Sequence, residues 1–210
     1  MKIAVFGSTG PSGQLIVKYA LSKGFEVMAY ARNPSKISFQ DKNLTVIEGT
    51  LGDITAIERT VSEAQAVISI LGATTNVKTT ELSDGTQNII DAMKKYNVRR
   101  LIAMGTASVD DANDRHSFKF RLLVKIVKSL IPGAYNEIRR IGNLVKQSGL
   151  DWTLVRLAVL ANGPAKGIKH VGYYGKDNII LMVTRADLAR FFVDQVESRE
   201  YIQKAPAISN

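Results

Sequence analysis

Directly after the apolar run Ile3-Ala4-Val5-Phe6, the stretch Gly7-Ser8-Thr9-Gly10-Pro11-Ser12-Gly13 puts a glycine at every third position. A backbone stripped of side chains there is suited to one kind of chemistry, the close approach of an anion. Gly7 permits the tight turn, Gly10 lets the main chain come near a diphosphate, and Gly13 lets the following helix pack against the strand. Unpaired N–H groups at the helix start, with the helix dipole behind them, then face the anion. Ser8, Thr9 and Ser12 can add hydroxyl donors, and the whole stretch, Pro11 included, is expected to bind a dinucleotide. No Gly-Lys-Ser/Thr follows, so this is not a P-loop.

The end of the second apolar run selects the nucleotide. NAD binders place Asp or Glu there to hold the ribose hydroxyls. This chain has Tyr30-Ala31-Arg32-Asn33-Pro34-Ser35-Lys36, with no acid. Arg32 can pair with a 2′-phosphate through two parallel N–H bonds, and Lys36 can add a second charge. NADP(H) is therefore expected over NAD(H). In Gly49-Thr50-Leu51-Gly52-Asp53-Ile54, Asp53 can accept from an adenine amino group while Ile54 covers the ring. Asp53 can equally cap the helix that follows, and both roles stay open. Leu71, Gly72 and Ala73 leave room for the ribose and diphosphate.

The candidates for proton and substrate chemistry are fewer. Tyr135-Asn136-Glu137-Ile138-Arg139 is the nearest pattern to Tyr-xxx-Lys, in which a lysine lowers the pKa of a proton-donating tyrosine. Arg139 does not reproduce lysine geometry. Packing or a ribose contact is therefore the preferred role for Tyr135. Thr106 can hydrogen-bond a nicotinamide amide or a substrate, or close on its own backbone. His116 sits in the charged loop Asp110-Asp111-Ala112-Asn113-Asp114-Arg115-His116. Surface exposure or substrate contact are its two readings. There is no cysteine and there are only two histidines, which excludes disulfides, thiolate sites and a histidine-rich metal centre.

These residues need a scaffold. Short apolar runs at 2–6, 26–32, 44–50, 66–72, 99–106 and 151–160 alternate with helix-periodic segments at 12–23, 54–63, 82–96, 117–130, 135–148 and 185–196, before a last short strand at 204–209. That alternation predicts an α/β, doubly wound parallel sheet of Rossmann type, with helices on both faces. No linker or repeat divides the chain, so 1–210 reads as one domain. Segments 107–150 and 157–184 are expected to form its substrate side. The helix at 117–130 is apolar on one side and basic on the other. Such a helix can lie on a membrane, but a pocket wall or subunit contact is the preferred reading.

Taken together, the glycine loop, Tyr-Ala-Arg-Asn-Pro-Ser-Lys, the Leu-Gly-Asp and Leu-Gly-Ala loops, DGTQNIIDAMKKYNVRRLI, VKQSGLDWTLVR, NGPAKG, TRADLARFFVDQ and KAPAIS resemble the atypical short-chain dehydrogenases/reductases. Within these the likeness is to the NmrA-like NAD(P)H-binding proteins near biliverdin-IXβ reductase/flavin reductase. It spans almost the whole chain. It implies an NADPH-dependent reductase of flavins or similar aromatic acceptors, with FMN as a substrate. Redox sensors without turnover also occur in that family. Two positions depart from its pattern. Leu157 follows Arg156 where the family often has proline, which alters the wall beside the nicotinamide. Gly105-Thr106-Ala107-Ser108 replaces a serine-rich strand end.

The 210 residues carry 28 Lys and Arg against 19 Asp and Glu, a net charge of +9. That favours anionic ligands without choosing among them. No recognition motif accompanies the charge, so nucleic acid is not an expected partner. No apolar run reaches the ~18 residues of a membrane span, and Met-Lys-Ile-Ala-Val-Phe-Gly is a strand start rather than a signal peptide. A cytoplasmic monomer or homodimer acting on a small molecule is expected. A sugar epimerase or dehydratase would need a working Tyr-Lys pair and a larger C-terminal substrate domain.

Overall fold

The computed structural model describes residues 1–73, 79–115, 118–180 and 182–210; His116 lies outside them, and the side chains of 118–121 and 123 are not described. The chain runs β1 (Lys2–Phe6), α1 (Pro11–Ser22), β2 (Glu26–Ala31), a 3-10 turn (Pro34–Lys36), β3 (Leu44–Glu48), α2 (Ile54–Ser62), β4 (Ala66–Ser69) and α3 (Glu81–Lys95). It continues through β5 (Arg100–Thr106), α4 (Phe118–Leu130), α5 (Pro132–Gln147), β6 (Asp151–Leu157), β7 (Val159–Ala161), β8 (His170–Gly172), β9 (Met182–Thr184), α6 (Arg185–Asp194) and β10 (Ala207–Ser209).

The main sheet has the order β3-β2-β1-β4-β5-β6-β10-β8, parallel except for the edge strand β8. Strand order reverses between β1 and β4, so the turns after those two strands form a crevice at the C-terminal edge. Alternation along β1 builds both layers. Ala4 and Phe6 pack with Ile57, Ile89, Met93, Ile138 and Val145 under α2, α3 and α5. Ile3 and Val5 pack with Ile16, Val17, Ala20, Leu188 and Phe192 under α1 and α6. Strands apolar on both faces can only sit between two helical layers.

The expected strand at 151–160 breaks at Ala158, where β6 leaves the sheet and β7 pairs instead with β9 in a separate two-stranded sheet. Strands β7, β8 and β9 have three residues each, too short to carry a periodic signal. The helix expected at 135–148 starts three residues earlier, because Pro132 opens α5 with Ile131 as the N-cap. The last strand begins at Ala207, and Lys204 contributes only a bridge to Thr153.

Beside Leu157, the side chain of Arg156 is 0% exposed. Its Nη1 and Nη2 reach the Asp114 carboxylate at 2.5 and 2.8 Å. Nε donates to the Ala205 carbonyl, Nη1 also to Val109, and the guanidinium lies 5.0 Å from the centre of the Tyr174 ring. Asp114 also accepts from the backbone of Asp111 and Tyr174. Breaking a buried pair leaves one charge without compensation, which costs about 3–5 kcal/mol. Asp114→Ala should therefore lose about that much stability in urea unfolding. The double change Arg156→Met with Asp114→Leu should recover most of it. A loss of under ~1 kcal/mol in the single variant would show that the pair does not anchor this region.

Candidate functional site

The crevice at the strand-order reversal is built by backbone constraints. Gly7 has φ +82°, and a Cβ there would stand 2.8 Å from Ile70 on the neighbouring turn. A Cβ on Gly13 would fall 2.0 Å from the Gly7 carbonyl oxygen, so only glycine lets α1 sit this close to β1. Gly10 differs. Its φ is −72°, and a Cβ would meet no protein atom nearer than 3.6 Å. Packing therefore leaves the space over Gly10 open. No side chain caps α1, and its first turn carries no acid. The N-terminus of α1 thus presents its N–H groups without competition from a carboxylate, which suits a diphosphate.

Two cavities run along this edge. The first, about 310 Å³, is bounded by Gly7 and Thr9 after β1, by Tyr30, Ala31 and Arg32 at the end of β2, and by Gly49 and Leu51 after β3. Leu71, Gly72 and Ala73 after β4 and Glu81 at the start of α3 complete it. The second, about 290 Å³, has Thr106, Ala107 and Ser108 after β5, Val124 and Val127 of α4, and Tyr135 and Ile138 of α5. Leu157 and Val159 close its far side. Ala73 lines both, so the cavities adjoin there.

Arg32 stands in the first cavity, exposed, with Nη1 3.7 Å from the Glu81 carboxylate. An exposed pair of this kind is worth about 0–1 kcal/mol and is readily exchanged for a better anion. Lys36 is exposed but lies outside the lining, and its carbonyl accepts from the Gln14 amide. Asp53 caps α2 by accepting from the Ala56 N–H at 3.0 Å. Ile54 is exposed at the first position of α2, outside the lining.

Ser8 departs from its expected role as a hydroxyl donor. It is buried, and its Oγ donates to the Tyr30 carbonyl at 2.7 Å, tying the glycine turn to the end of β2. Ser12 and Gly13 are buried in α1, Pro11 is exposed on its first turn, and none of these three lines either cavity. In the second cavity, Thr106 Oγ1 accepts from the Ser108 N–H at 3.2 Å, which leaves its own hydrogen for another acceptor. Tyr135 is buried, and its hydroxyl accepts from Arg139 at 3.3 Å. Arg139 in turn pairs with Asp110 at 3.3 Å.

Three participants had no distinct signal in the sequence. Tyr30 forms a wall of the first cavity, and its hydroxyl donates to the Thr50 carbonyl at 2.6 Å. Burial, with the nearby Asp53 charge, pushes its pKa up to about 12, so it stays a neutral donor. Gly49 makes that reach possible: a Cβ there would stand 2.3 Å from the Tyr30 hydroxyl. Glu137 is buried and accepts from the Ser83 N–H at 2.7 Å and the Ser83 hydroxyl at 3.1 Å, locking α5 to the first turn of α3. A carboxylate on a helix looks like a surface charge in sequence; only the packing distinguishes Glu137 from the rest.

Among the described residues no cluster of His, Cys, Asp and Glu could hold a metal ion. No helix among them is long and apolar enough to cross a membrane.

Known proteins of this shape agree with the geometry. A short-chain dehydrogenase/reductase from Veillonella parvula, solved in complex with NADP, superposes over 100% of this chain and 94% of its own with a TM-score of 0.79 at 21% identity. Protein YwnB of Bacillus subtilis is 27% identical over 209 residues, covering 96% of this chain and 94% of its own. An oxidoreductase of Pestalotiopsis microspora is 24% identical over 218 residues, covering 93% and 80%. The family model described as NAD(P)H-binding matches residues 7–199, from the first glycine of the turn to beyond α6, and the chain belongs to that NAD(P)H-binding family.

Proposed function

We propose that the protein is an NADPH-dependent reductase that passes hydride to a flavin such as FMN, or to a similar aromatic acceptor. The observation that carries this reading is the meeting at Ala73 of a cavity holding Arg32 and Glu81 and a more apolar cavity walled by α4 and α5. The dinucleotide would lie with its adenosine half in the first and its nicotinamide toward the second. The turn Gly7-Ser8-Thr9-Gly10-Pro11-Ser12-Gly13 would receive the diphosphate on backbone N–H groups. Arg32 would leave Glu81 for the 2′-phosphate, with Lys36 adding positive potential. Leu71, Gly72 and Ala73 would pass beneath the ribose, and Asp53 and Ile54 would border the adenine. The bound cofactor supplies hydride. Thr106 would donate to the nicotinamide amide or the acceptor, and segments 107–150 and 157–184 would enclose the acceptor and exclude water.

Tyr135 is assigned a positioning and packing role. Its hydroxyl is held by Arg139, which cannot deprotonate and so cannot relay a proton. A flavin can take its proton from water, so no protein acid is required. A specific observation favours a second reading. Arg139 occupies the position of the usual lysine and is itself tied to Asp110, so no proton relay runs through Tyr135, which suits an NADP(H)-sensing protein without turnover.

Titration of NADPH and NADH into the purified protein separates the steps. Loss of a charge-assisted pair costs about 1.5–3 kcal/mol, so Arg32→Ala should weaken NADPH binding by about 10–150-fold and leave NADH within about threefold. Equal loss for both nucleotides would remove the 2′-phosphate from Arg32.

Gly10→Ala should keep stability within about 0.5 kcal/mol of the parent, because its Cβ meets nothing closer than 3.6 Å. It should nevertheless lose nucleotide affinity. Undiminished binding would place the diphosphate elsewhere.

With FMN as acceptor, Tyr135→Phe should keep kcat within about threefold. A general acid would instead account for about 100-fold or more. Tight NADPH binding without oxidation by any flavin would select the sensor reading.

A further inference from the structure

Helix α4 is apolar on two sides. Val124 and Val127 face the second cavity. Leu122, Ile126 and Leu130 face outward, the first two about half exposed and Leu130 72% exposed. Their spacing of four keeps them within about 80° of the helix circumference. A helix that only walls a pocket needs one apolar stripe, and this one has a second.

Further exposed apolar residues lie on the β7–β9 pair. Val159 borders the same cavity and is half exposed, as is its register partner Met182. Ile180, two residues before Met182, is also half exposed. Of the large hydrophobic residues exposed among those described, most thus gather at α4 and the β7–β9 pair rather than scattering. An exposed apolar stripe along one side of a helix marks an interaction surface.

Charge selects the partner. The α4 sequence carries Lys119, Arg121, Lys125 and Lys128 and no acid. Lys125 is exposed beside the outward stripe, about 60° around the helix from Leu122; Lys128 is exposed on the opposite side, its Nζ 5.8 Å from the centre of the Tyr135 ring. A second copy of this chain, related by a two-fold axis, would bring the same cationic face against itself.

We propose that this face docks on an anionic lipid bilayer. Leu122, Ile126 and Leu130 enter the boundary between headgroups and acyl chains, and Lys125 meets the anionic headgroups. This surface is independent of the cofactor reading, because docking is measured on protein without nucleotide.

Sedimentation with vesicles tests it. The protein should bind phosphatidylcholine vesicles that contain phosphatidylserine, should not bind pure phosphatidylcholine, and should detach as salt is raised. Lys125→Glu and Leu130→Asp should each lower the partition coefficient by about tenfold or more. Both positions are exposed, so thermal unfolding should not change. Absence of binding to anionic vesicles overturns the proposal, as does equal binding to both vesicle types. A concentration-dependent dimer dissolved by Leu130→Asp, without vesicle binding, assigns the face to a second copy and overturns it as well.

Discussion

The packing of the loop after β5 against β6 and the segment entering β10 depends on one buried guanidinium. Arg156 of β6 is fully buried and spends its donors on Asp114, Val109 and Ala205. Those partners come from the loop after β5 and from the segment entering β10. Through Asp114 the same charge pair reaches Tyr174, whose N–H it holds at 3.0 Å and whose pKa burial raises. Lys146 adds to the loop by pairing with Asp111 at 3.8 Å, its pKa lowered chiefly by burial. Segments distant in sequence are thereby drawn to one side of the sheet, and the loop leading to α4 gains a fixed origin.

On the cofactor side the governing constraint is steric. The Gly7 carbonyl occupies the place where a side chain at position 13 would stand. Backbone therefore packs on backbone, and α1 starts close to the strand it follows. Ser8 fixes the turn to β2, and the Gly7 turn abuts Ile70 after β4. Three strand ends are thus held in register around the crevice before any ligand is considered. Gly10 is the position that this packing does not require, which is why a ligand is the better explanation for its missing side chain.

The electrostatic layout follows from the same geometry. Glu81 sits opposite Arg32 because α3 begins at the rim of the first cavity. An exposed pair of this strength holds the guanidinium near its place without committing it. Inside, Glu137 is committed: it satisfies Ser83 at the start of α3 and joins α3 to the helix that carries Tyr135. The two cavities therefore share a support, with α3 bordering the first and α5 the second.

Local chemistry determined much of this in the sequence alone. The glycine turn, the apolar strands, the helix periods and Arg32 at the end of β2 are set by rules that act over a few residues, such as backbone freedom, side-chain period and helix capping. They placed β1 to β6 and the six helices to within a few residues. Tertiary structure decided what depends on distant partners. Nothing local marks Arg156 as buried; Asp114, 42 positions away, encloses its charge. Ser8 read as a ligand donor until the Tyr30 carbonyl claimed it. The three-residue strands β7, β8 and β9 carry no period of their own and exist only through the strands they pair with. The outward stripe of α4 shows the same limit: periodicity marks a face as apolar, but only packing shows whether that face is covered.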